Sequence, residues 1–218
     1  MRILLIDGHA ETGRLSSHLL DLYQSALPVG VEVVRIALSE LDFDPILHGG
    51  YARRQAWEPD LERAAAAIER CDHLVLAFPM WWGGEPALLK GFLDRVFLPH
   101  FSFRYHEKGS MWDGLLEGRS ADLLVTMDTP GFFLRFAYSN SIIHRMRKQI
   151  FAFCGFKPVR FHAFGPVRRG GAEKSMAAWQ RTIAKLAASA GKGRKVKKLN
   201  PLQPFLTYQA ASSSAVKS

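Results

Sequence analysis

The sequence has 218 residues, 48% of them hydrophobic and 22% charged, which is ordinary for a globular domain and excludes a disordered or low-complexity chain. Its net charge of +9 points to nucleic acid only until the charge is located: residues 174–218 hold nine Lys/Arg and no Asp or Glu, leaving 20 basic and 20 acidic residues in the rest. A neutral body with a basic end is not the footprint of a dedicated DNA or RNA binder.

The chain begins with R-I-L-L-I-D (residues 2–7), a continuous apolar run that predicts a buried strand. A polar loop, residues 8–13, leads into a helix starting near Arg14, with Leu15, Leu19, Leu20 and Leu22 among its apolar positions. Residues 31–38 predict a second strand, residues 41–57 an irregular packed loop, and residues 60–70 an alanine-rich helix started by Glu58-Pro59. The third strand, residues 73–78, is too short and apolar for a helix, and Pro79 ends it. Residues 79–84 form a loop with two tryptophans and two glycines. Pro86 then suits the first turn of a helix in which Leu88, Leu89, Phe92, Leu93 and Val96 recur at helical spacing. Residues 98–118 are a long aromatic and charged stretch, a length that marks functional or interfacial loops. A fourth strand (120–127), a loop (128–133), a helix (139–153) capped by Gly155, a fifth strand (159–164) and a last helix (172–189) follow. Residues 191–218 turn basic and then Ala/Ser-rich, and predict an extended arm ordered only where residues 202–208 dock. Cys71 and Cys154 lie in apolar surroundings and predict buried free thiols in a reducing compartment. With no signal-peptide pattern and no run of transmembrane length, the expected location is the cytoplasm.

Apolar strands alternating with helices predict an α/β fold, a doubly wound five-stranded parallel sheet in strand order 2-1-3-4-5. The order reverses between strands 1 and 3, so the loops after strands 1, 3 and 4 converge on one ligand. The first loop holds no G-x-G-x-x-G and no P-loop lysine, which argues against a dinucleotide Rossmann or ATPase site. It does place Arg14, Ser16 and Ser17 at a helix N-terminus, where N–H groups, hydroxyls and a cation suit a phosphate, although a serine there can equally be an N-cap. The second loop supplies backbone groups and a tryptophan wall, with a plain core cap as the alternative for Trp81 and Trp82. The third supplies Thr126, Asp128, Thr129 and Gly131, then Phe132 and Phe133. A phosphate at one end and a flat ring between two loops describe a flavin nucleotide. Asp42, Asp44 and the histidines at 48, 73, 100, 106 and 162 lack metal-ligand spacing.

The run F-P-M-W-W-G-G-E-P-A-L-L-K-G-F-L-D-R-V-F, residues 78–97, resembles the signature of the NAD(P)H:quinone oxidoreductase family, the flavodoxin-like group that includes DT-diaphorases, modulator-of-drug-activity proteins and ancillary flavoproteins of potassium-efflux systems. Gly8-His9-Ala10 with Leu15-Ser16, and A-F-C-G-F at 152–156, fit the same family. The resemblance spans residues 1–189 and implies a flavodoxin-like flavin-binding domain over 1–190, with residues 191–218 as a partly docked basic arm. It implies a non-covalent FAD or FMN, NAD(P)H as donor, ping-pong hydride transfer through flavin N5 to quinone-like acceptors, and a homodimer with active sites at the subunit interface. By position, Arg14, Leu15 and Ser16 would hold the flavin phosphate beside His9. Pro79, Met80, Trp81, Trp82 and Gly83 would line the ring edge, and Thr126, Asp128, Thr129 and Gly131 its pyrimidine side. Trp82, Phe132 and Phe133 would face the substrate. The sequence departs from the family in having Thr-Met-Asp-Thr-Pro-Gly after strand 4 in place of Thr-Thr-Gly-Gly. No catalytic side chain is assigned; Tyr138 and His144 are the candidates for the family's Tyr and His, with a helix-surface or interface role as the alternative. Two other functions fit parts of the sequence. One is a regulatory flavoprotein that binds a membrane transporter through the basic segment 192–198, and the other is an electron-carrier flavodoxin.

Overall fold

The apolar runs pair as parallel strands in a computed structural model that describes residues 1–192 and 197–215, with side chains to residue 210. Strands β1 (Arg2–Asp7), β2 (Glu32–Ala37) and β3 (His73–Pro79) join β6 (Ser120–Thr126) and β7 (Val159–Phe164) in the order β2-β1-β3-β6-β7. With β6 and β7 as the fourth and fifth predicted strands, this is the expected 2-1-3-4-5 order. Alternate residues of each strand serve opposite faces. Leu4, Ile6, Leu74, Leu76 and Phe78 face one core with α2 (Pro59–Arg70) and α3 (Ala87–Val96). Ile3, Leu5, Val75 and Ala77 face the other with α1 (Leu15–Ser25) and α6 (Gly171–Ala188). Continuous apolar runs are what a strand covered on both faces requires.

The register fixes the shape of the carboxyl edge. Asp7, the last residue of β1, pairs with Ala77, whereas β3 and β6 run on until Pro79 pairs with Thr126. Two further residues at about 3.3 Å each leave a step of roughly 7 Å beside the end of β1. The loop after β1 fills its base: Gly8 N–H donates to the Ala77 carbonyl at 2.8 Å.

Three segments differ from their sequence expectation. The long stretch 98–118 folds into a hairpin, β4 (Phe103–Tyr105) with β5 (Trp112–Gly114), which Trp112 pins by stacking on Phe153 at 4.5 Å and donating to its carbonyl at 2.9 Å. The loop expected over 128–133 becomes helix α4 (Gly131–Phe136), started by Pro130. The helix expected over 139–153 is α5 (Ser141–His144) continuing as a π-helical segment, Arg145–Ala152, and left-handed Ser139 and Asn140 separate it from α4. The irregular loop 41–57 is tied down by the buried Arg95 guanidinium, which bonds Glu58 at 2.8 Å and the Ala56 carbonyl at 2.9 Å. Pro45 packs so close to Gly91 that a Cβ there would come within 2.4 Å of it.

Beyond the sheet, α7 (Leu202–Ala215) is a helix where an extended arm was expected. Its Phe205 is buried against Trp57 at 4.4 Å and Phe101 at 5.8 Å. In the basic segment 192–198, Arg194 and Lys195 lie outside the described residues, while Lys198 pairs with Asp72 at 2.6 Å. Cys71 and Cys154 are buried free thiols, each pushed up to about 12 by burial. Among the described residues no helix is long and apolar enough to cross a membrane, and no cluster of His, Cys, Asp and Glu could hold a metal.

Candidate active site

Three loops leave the carboxyl edge around the step: residues 8–14 after β1, 80–86 after β3 and 127–130 after β6. They touch. His9 meets Trp81 edge-on at 5.3 Å, and Met80 N–H donates to the Thr126 carbonyl at 2.8 Å.

In the first loop, Asp7 is the organising residue, and sequence reasoning missed it. Its buried carboxylate accepts from the Ser16 hydroxyl at 2.7 Å and from the His9 N–H at 3.1 Å. Ser16 is thus buried with its hydroxyl turned to Asp7. Ser17 accepts from Arg35 at 2.7 Å. Arg14 is exposed and bonds Glu11 at 2.7 Å, which holds the Glu11 carboxyl below its usual range. No side chain caps α1, whose N-cap is Arg14 itself. The N–H groups of Leu15, Ser16 and Ser17 therefore lack the partner that a capping side chain provides, and the positive end of the helix dipole lies with them.

The second loop is a tight turn closed on itself: Trp81 N–H donates to the Gly84 carbonyl at 2.9 Å and Gly84 N–H to the Trp81 carbonyl at 3.0 Å. Trp82 at φ 52° and Gly83 at φ 78° are both left-handed. For a tryptophan that conformation costs on the order of 1–3 kcal/mol, so the surroundings must hold it. Trp82 is fully exposed and Trp81 half-exposed, which removes the core-cap alternative for both. Pro79 belongs to β3 and is buried, and Met80 is half-buried.

In the third loop Thr126 is buried at the end of β6. Asp128 does not point freely at a ligand: it accepts from the Val167 and Arg168 N–H groups at 3.1 and 2.7 Å and pairs with the Arg168 side chain at 2.7 Å, tying this loop to the one after β7. Thr129 is half-buried. Gly131 has an ordinary φ, and a Cβ built on it would meet no protein atom within 4 Å. Neither backbone conformation nor protein packing demands glycine there. From α4, Phe132, Phe133 and Phe136 stand exposed, with Phe132 and Phe136 5.0 Å apart. Phe136 had no sequence signal beyond helical spacing from Phe132. Tyr138 and His144 are exposed, at the α4–α5 turn and on α5.

The whole edge is a cation-bearing, glycine-lined shelf between a tryptophan turn and a phenylalanine ridge. A family model described as a flavodoxin-like fold matches residues 1–189. An NAD(P)H oxidoreductase of Haemophilus influenzae is 32% identical over 167 residues, covering 73% of this chain and 82% of the relative. The chain belongs to the flavodoxin-like NAD(P)H:quinone oxidoreductase family. As a member it is an oxidoreductase. An FMN-dependent NADH:quinone oxidoreductase of Alcanivorax borkumensis is 30% identical, covering 67% of this chain and 78% of that one. Among solved structures, Smu.1420 from Streptococcus mutans UA159 superposes with a TM-score of 0.72 at 27% identity, covering 86% of this chain and 98% of that one. The NAD(P)H:quinone oxidoreductase of Methanothermobacter marburgensis, at 18% identity and a TM-score of 0.69 over 87% of this chain and 96% of its own, shares the fold.

Proposed function

We propose that this family member is an NAD(P)H-dependent flavin oxidoreductase that reduces quinones or similar flat acceptors. The observation that carries the reading is the meeting of three loops at the switch point of the sheet, with the uncapped start of α1 on the first of them. At Gly131, on the third, neither φ nor protein packing demands glycine, which leaves room for a ring edge. The residues of the shelf fit a flavin mononucleotide. The uncapped N–H groups of Leu15, Ser16 and Ser17, with Arg14 beside them, take the phosphate through backbone bonds. The Ser16 hydroxyl serves indirectly, by fixing Asp7 and through it the start of the loop. The turn 80–84 and residues 129–131 hold the two edges of the ring. FMN-dependent relatives favour FMN over FAD, and NADH as donor. When bound, the flavin supplies two-electron hydride chemistry at N5, with donor and acceptor occupying the same slot in turn.

The chain's own part is to orient and to exclude water. Trp81, Trp82, Phe132 and Phe133 are large, flat and rigid, and they give a nicotinamide or a quinone the same apolar walls. So much exposed aromatic surface beside one site also supports a homodimer in which the phenylalanine ridge is covered by the partner. No side chain on the shelf is assigned as proton donor. The test is steady-state turnover with NADH and a benzoquinone after loading with FMN. Parallel-line kinetics and rapid quinone reduction are expected. Binding of FMN without quinone turnover would remove the assignment of acceptor.

A further inference from the structure

Glu85 ends the tryptophan turn, and its side chain is only 2% exposed. Its carboxylate is held by both terminal nitrogens of Arg145, one at 2.6 Å, in a bidentate fork. Arg145 opens the π-helical segment, a rare geometry that tends to occur at functional sites. That segment is in turn fastened to the phenylalanine ridge: Tyr138 N–H donates to the Phe133 carbonyl at 3.0 Å, Asn140 N–H to Leu134 at 2.8 Å and Ser141 N–H to Tyr138 at 2.9 Å. A chain of specific bonds thus runs from the Trp81–Gly84 turn through Glu85 and Arg145 to α4. With its carboxylate buried and its guanidinium half-buried, such an ion pair is a poor source of stability, because desolvation offsets most of the attraction and apolar residues of similar size do as well or better. What such a pair does supply is a fixed distance and angle.

We propose that Glu85 and Arg145 are positioning residues that set the separation of the tryptophan turn from the phenylalanine ridge, and with it the width of the slot for the flat ring and the acceptor. The proposal rests on the flavin reading above. Stability and positioning come apart in the double variant Glu85→Met/Arg145→Leu, which replaces the pair with apolar bulk. It melts no lower than the wild type, but its Kd for FMN, read by quenching of flavin fluorescence, rises about tenfold or more. KM for menadione rises by about the same factor while kcat stays within about twofold. The single variant Arg145→Lys keeps the charge and loses the fork, and it shows the same two increases. A double variant that melts normally and binds FMN with wild-type affinity overturns the proposal. Should that variant not fold, an unchanged Kd in Arg145→Lys overturns it equally. A wild-type protein that binds no FMN defeats the flavin reading itself, a result distinct from binding that the variants leave untouched.

Discussion

Gly131 and Gly8 sit on the same rim in opposite surroundings. At Gly8 a Cβ would come within 2.9 Å of Leu89 and 3.1 Å of Phe78, so the protein's own packing crowds any side chain there. At Gly131 the protein leaves the space open. Gly131→Ala therefore separates fold from ligand. The free protein should melt at or slightly above the wild-type temperature, because alanine in the first turn of α4 lowers the entropy of the unfolded chain. FMN affinity should fall about tenfold or more, because on the proposed reading the added methyl would meet the ring edge. A loss of stability without a loss of affinity would mean that Gly131 serves the fold. Single residues also mark where the sequence stops being legible. Composition and order placed Arg14, Ser16, Trp81, Trp82 and Asp128 near the shelf. They could not show that Ser16 gives its hydroxyl to Asp7, or that Asp128 is spent on the Val167 and Arg168 N–H groups, because those partners are set by tertiary approach. Asp7 and Glu85 were overlooked for a related reason: a carboxylate in sequence carries no sign of whether it is buried and paired.

At the scale of elements, the strands were the most legible. β1 and β3 are near-continuous apolar runs and the other three are short apolar-rich segments, and all five of the main sheet appear within a residue or two of their expected limits. The aromatic stretch 98–118 and the segment 128–153 were less so. The hairpin β4–β5 depends on Trp112 finding Phe153, a contact 41 residues away, and the α4–α5 break depends on two left-handed residues, Ser139 and Asn140, that carry no glycine signal. The C-terminal helix α7 has almost no amphipathic pattern to read, yet it docks, with Phe205 its most deeply buried apolar side chain. Phe205 fills the cleft between Trp57 and Phe101. Phe205→Ala should lower the unfolding free energy by about 3–5 kcal/mol, as for other buried phenylalanines, measured by urea denaturation. An unchanged midpoint would show that α7 adds nothing to the stability of the domain.

For the whole molecule, topology decides where function can be. One reversal of strand order brings three loops together, and the two extra residues of β3 and β6 turn that meeting place into a step against which a flat ring can lie. The opposite end of the sheet holds a buried polar network instead of a ligand shelf. There Tyr23, His73 and Arg160 surround Asp122; burial pushes that carboxyl up, and the bonds from His73 and Arg160 outweigh it and hold it below the usual range. This division explains why the basic charge says little about function: it collects at the C-terminal end of the chain, away in sequence from all three loops. The most direct test of the central claim is calorimetric titration of FMN into purified protein freed of any bound nucleotide. The expected result is saturable binding of one flavin per chain, with the protein turning yellow; failure to take up FMN or FAD at any concentration would contradict it.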